Sequence, residues 1–114
     1  MDENQQTFNR PLLLWWHDIE SKKDIPAGVA FFEAKYGEYR LKIDIHPDTL
    51  YFLRPISSES DSVLYRVEVA IKRDEQIYQK RIVGEGFSSP RTNGDVYLEL
   101  GPYSKTLIME MYND

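Results

Sequence analysis

From Ala27 to the C-terminus, apolar and polar residues change places at almost every step. A period of two marks strands that bury one face and show the other to water. The clearest run is Tyr39–Ile45, where Tyr39, Leu41, Ile43 and Ile45 alternate with Arg40, Lys42 and Asp44. Leu64–Lys72 repeats the pattern, with Tyr65, Val67, Val69 and Ile71 inward and Arg66, Glu68 and Lys72 outward. Near the end, Val96, Leu98 and Leu100 form one apolar face, and Leu107, Met109 and Met111 form another. Further strands are predicted over residues 27–34, 50–54 and 76–83. In the last of these, the inward set is either Tyr78, Lys80 and Ile82 or Ile77 and Val83.

Turn chemistry separates these runs. Lys35–Glu38 and Arg73–Glu75 are polar breaks, Pro47 fixes φ inside His46–Thr49, Asn93-Gly94 is a tight-turn pair, and Gly101-Pro102 turns the chain. Gly84-Glu85-Gly86 predicts a bulge or bend. Residues 18–26 are expected as a charged connector, 55–62 as a Ser-rich acidic loop and 88–95 as a polar loop.

The first apolar run fits two templates. As a helix, Leu12, Trp15, Trp16 and Ile19 make an i, i+3, i+4, i+7 stripe, with Asn9 near the start and Pro11 in the first turn. As a strand, it is apolar on both faces: Leu12, Leu14 and Trp16 on one, Leu13 and Trp15 on the other. The aromatic pair favours the pleated form. The expected architecture is therefore all-β and mainly antiparallel, a small sandwich or barrel of about seven to eight strands, with one short N-terminal helix as a variant. Residues 1–10 are expected as a disordered tail and 11–114 as one domain, since 114 residues divide poorly into two.

Composition narrows the function classes. An aromatic fraction of 13% argues for a packed core rather than disorder. The net charge of −5 gives no general attraction to phosphate backbones, and cations and carboxylates balance through the central strands. The absence of cysteine excludes a disulfide framework, a thiolate metal site and a cysteine nucleophile, and fits a cytoplasmic location. The first ten residues lack a basic leader, and Leu12–Trp16 is too short for a membrane span, so no membrane partner is expected.

Catalytic chemistry finds little support, and the chain is expected to be a non-enzyme without a cofactor. Asp44, His46 and Asp48 would place an imidazole between two carboxylates on one face of a straight strand, but Pro47 favours a solvated turn. His17, with Asp18 and Glu20, lies 29 positions before His46, and no spacing demands that they meet. Gly84-Glu85-Gly86 lacks the third glycine and following helix of a dinucleotide loop, and Ser88 and Ser89 lack a nucleophile-elbow context.

Three binding readings remain. In the first, Leu13, Trp15 and Trp16 engage a protein partner or a second copy, or a sheet edge accepts a strand. Two adjacent tryptophans on a strand cannot both enter one small core, and Trp is favoured as an interface anchor. The alternative is single-stranded nucleic acid bound on a sheet face by Arg40, Lys42, Arg54 and Arg66, with Lys72 and Lys80, interleaved with Tyr39, Tyr51, Tyr65 and Tyr78. Alternation sets most of those tyrosines on the face opposite the cations, and carboxylates such as Asp44 and Glu68 are placed to neutralise the row. A third reading is a barrel whose inward aromatics line a small-ligand cavity.

Overall fold

A computed structural model describes residues 10–18, 23–101 and 105–111, and of Lys23 and Tyr78 the backbone only. The expected tail, except Arg10, lies outside the described residues. Among the described residues eight strands follow one another: β1 (Leu12–Asp18), β2 (Lys23–Glu33), β3 (Glu38–Ile43), β4 (Tyr51–Glu59), β5 (Ser62–Arg73), β6 (Gln76–Ser88), β7 (Val96–Leu100) and β8 (Thr106–Met109). Each pairs antiparallel with the next, and β8 returns to β1, closing the sheet into a barrel.

An eight-stranded barrel is just wide enough for inward side chains to fill it. Leu14, Leu41, Ile43, Leu53, Val67, Val96, Leu98, Leu107 and Met109 are fully buried there. Trp16, Tyr51 and Tyr65 belong to the same core. The alternation read from the sequence is thus the inside–outside alternation of the barrel wall.

Two hairpins turn in two residues. Ser60 and Asp61 have φ of 49° and 68°, and Asp74 and Glu75 have 54° and 65°. Positive φ at both central residues matches the twist of the flanking strands. Closure also needs sharp local bending. An added Cβ on Gly28 or Gly84 would collide with a neighbouring strand's carbonyl oxygen, that of Lys42 or Glu99 respectively. Both glycines lie beside register shifts, so the close approach and the bulge occur together.

The first segment is the strand that the aromatic pair favoured, not the helical variant, and both neighbours, β2 and β8, hydrogen-bond to it. Several other expectations are corrected. Part of the predicted connector, Lys23–Pro26, extends β2 opposite Asp18–Trp15. The Ser-rich loop is mostly strand: β4 runs to Glu59 and absorbs Ile56 as a bulge opposite β5. Residues 88–95 contain a 3-10 turn, Pro90–Thr92, capped by Ser89 and ended by Asn93 in the left-handed region. Ile45 is exposed in the turn after β3 and takes no place in the core.

Candidate interaction surface

The outer face of the barrel carries a continuous apolar rung. Leu64 on β5 pairs with Phe87 on β6, Phe87 with Tyr97 on β7, Tyr97 with Ile108 on β8, Ile108 with Trp15 on β1, and Trp15 with Pro26 on β2. Their sequence neighbours Tyr65, Leu98, Leu107 and Trp16 are in the core, which turns this set outward. At roughly 4.8 Å per strand, the rung runs about 24 Å around the barrel. Leu64 is 53% exposed and Phe87 46%. The Phe87 and Tyr97 rings are 6.0 Å apart and tilted by 48°.

Over β5–β7 the surface forms a groove of about 680 Å³, lined by the apolar residues Ile56, Leu64, Ile82, Phe87 and Tyr97 and by the charged residues Arg66, Glu85 and Glu99. Further round, Trp15 is half-buried and its Nε1 donates to Glu110 Oε1 at 2.9 Å. That bond fixes the indole against the wall and leaves part of its ring open to solvent.

The three residues expected as partner contacts separate accordingly. Leu13 and Trp15 lie on the outer face, Leu13 being exposed, whereas Trp16 is part of the core. Phe87, Leu64, Tyr97 and Ile108 were not singled out by sequence reasoning. The available signal was the local runs Val63-Leu64-Tyr65 and Leu107-Ile108-Met109, which place apolar groups on both faces, as Leu12–Trp16 does.

The cation row behaves differently. Arg40 Nη2 lies 3.0 Å from Glu33 Oε1, and Lys80 Nζ 3.5 Å from Glu38 Oε2. Arg54 approaches Glu38 at 3.9 Å and Glu68 at 3.7 Å. Lys42 lies over the Phe31 ring, 5.8 Å from its centroid. Between these charges sits Phe52, an outward residue that is only 2% exposed, with Lys80 Nζ 3.9 Å from its ring centroid. Glu38 and Glu68 are buried beside it, and Glu68 Oε1 and Arg40 Nε have no hydrogen-bond partner. Arg66 is opposite Arg54 on the neighbouring strand, and Lys72 is exposed. Tyr51 and Tyr65 point into the core and Tyr39 packs against it, so these rings do not share the cations' face. The Tyr78 side chain lies outside the described residues.

The histidine candidates also separate. Asp44 and Asp48 are exposed in the β3–β4 turn, and His46 Nδ1 meets the Tyr51 hydroxyl at 2.9 Å. His17 Nδ1 contacts Asp24 Oδ1 at 2.6 Å across the β1–β2 pair. Glu20 lies outside the described residues. Among the described residues no three His, Asp or Glu side chains gather as a metal cage. Ser89 caps the 3-10 turn, Ser88 is buried, and Gly84-Glu85-Gly86 is part of strand β6. Among the described residues no helix is long and apolar enough to cross a membrane.

No family model, characterised protein or solved structure matches this chain.

Proposed function

We propose that this protein is a non-catalytic binding module that engages a protein partner through the outer apolar rung from Leu64 to Trp15. The observation that carries this reading is the unbroken cross-strand series Leu64–Phe87–Tyr97–Ile108–Trp15, with its first two members about half exposed. Single exposed apolar residues are ordinary on a soluble surface, whereas a contiguous set including Trp, Tyr and Phe has the composition of an interface anchor. The ion pairs of Arg40, Arg54 and Lys80 weigh against the single-stranded nucleic-acid alternative, because those cations already face carboxylates on the same wall.

Affinity capture with the wild type and with Trp15→Ser/Phe87→Ser tests the reading, with light scattering to detect self-association. A stoichiometric protein partner is expected on the wild type. The variant should lose at least about 2 kcal/mol of binding, roughly thirty-fold, while keeping its circular-dichroism spectrum. Equal retention of that partner by a folded variant overturns it.

A further inference from the structure

We infer that the groove over β5–β7 receives a segment of a basic protein, in which an apolar or aromatic side chain seats on Leu64 and Phe87 while neighbouring Lys or Arg residues meet Glu85 and Glu99. This rests on the binding-module reading and adds the partner's chemistry.

The charge pattern supplies the argument. One step up the strands from the apolar rung, Glu85 on β6 stands directly opposite Glu99 on β7. Like charges in that position destabilise a sheet. Several other outer carboxylates do meet cations: Glu33 with Arg40, Glu38 with Arg54 and Lys80, Glu68 with Arg54, and Asp18 with Lys105. Glu85 and Glu99 form no ion pair within 4.0 Å among the described residues. Arg66 is the cross-strand neighbour of Glu85 and the cation lining the groove, yet it lies within ion-pair distance of neither carboxylate.

The other side of the rung is acidic as well. Asp95 Oδ1 accepts the Met111 backbone N–H at 2.9 Å, and Glu110 accepts the Trp15 indole N–H. Both bonds orient carboxylates without neutralising them. Over β6–β8 the apolar strip therefore has carboxylates on both sides, Glu85 and Glu99 on one and Asp95 and Glu110 on the other, on a chain of net charge −5. A second copy docked through this strip would set acidic borders against acidic borders, a juxtaposition that costs free energy. A partner with cations beside its apolar anchor relieves the same repulsion. The two rungs are two residues apart along each strand, so anchor and cation must sit within roughly 7 Å of each other.

Fluorescence anisotropy of the full chain with two labelled twelve-residue peptides tests this, one alternating Lys with Phe and Leu, the other with Glu replacing Lys. The Lys peptide is expected to saturate, to weaken with added salt, and to bind at least ten-fold more tightly than its Glu twin. Glu85→Lys/Glu99→Lys and Phe87→Ser should each cost the Lys peptide at least ten-fold. Glu59→Lys/Asp48→Lys changes the net charge equally at two exposed positions outside the groove and should stay within two-fold. If both charge-reversed variants lose binding alike, the attraction is a general one to an acidic surface and the inference fails. If Phe87→Ser loses binding while Glu85→Lys/Glu99→Lys does not, the apolar surface stands and the basic partner is wrong. Binding of neither peptide, or dimerisation of the wild type through this face, also overturns it.

Discussion

Phe52 and Phe87 both point out of the barrel wall, yet Phe52 is 2% exposed and Phe87 46%. Their neighbours make the difference. Around Phe52, Lys80 and Arg40 lay long side chains over the ring, with Lys80 Nζ 3.9 Å and Arg40 Cζ 5.8 Å from its centroid, and Glu38 and Glu33 hold those cations in place. Around Phe87 the cross-strand neighbours are Leu64 and Tyr97, which extend the apolar surface instead of covering it. Aliphatic stems of Lys and Arg are effective covers for apolar area. The same barrel thus covers one outer aromatic with a charged lid and leaves another open. That contrast is the physical reason to treat the Phe87 rung as a surface for a partner.

Stability separates the two most sharply. Phe52→Ala should cost about 3–5 kcal/mol, as for other buried aromatics, whereas Phe87→Ala should cost less than about 1 kcal/mol. Urea denaturation of both variants measures this, and equal losses would erase the distinction. Lys80→Ala comes next, at about 1–2 kcal/mol, because it uncovers Phe52 and takes a cation from buried Glu38. Lys80→Met keeps most of the stem. If the lid acts mainly by covering the ring, Lys80→Met should retain more stability than Lys80→Ala. If the two lose equally, the charge on Glu38 dominates.

The inner half of this comparison was legible in the sequence. Leu41, Ile43, Val67, Val96, Leu98, Leu107 and Met109 follow the period-two pattern into the core, because inside–outside alternation is a local property of a strand. The outer half was not. Whether Leu64 is next to Phe87, or Ile108 next to Trp15, depends on register between strands up to about ninety residues apart, and one sequence carries no record of it. The strand extensions at residues 23–26 and 55–59 were hidden for a related reason. Their polar residues form ladders on exposed wall, where composition resembles a loop. Trp16 and Trp15 were legible as a pair that must separate, though not as to which one the core would take. The cover over Phe52 is not legible in the sequence because it comes from β3 beside it and, across β5, from β6.

The smallest expected effect concerns an aromatic in a third setting. Tyr39 lies on the inner side of the wall, half-buried, its ring centroid 4.9 Å from that of Phe32. Burial raises its phenol above the ordinary 10.0, and the charge of an ionised Tyr65 adds to the rise. A raised folded-state value means that the folded chain holds this proton where the unfolded chain has released it. The associated stability is complete below about pH 10 and is lost as pH rises through the folded-state value. Phe52 and Phe87 have nothing to titrate, so their stability contrast should persist through this range, while the Tyr39 contribution declines. Urea midpoints at pH 8, 9.5 and 10.5 should fall less steeply for Tyr39→Phe than for the wild type, since the substitution removes one group whose ionisation favours unfolding. Parallel declines in the two proteins would mean that the Tyr39 hydroxyl reaches solvent as freely as in the unfolded chain, and that the inner wall at this rim is open in the way the outer rung is.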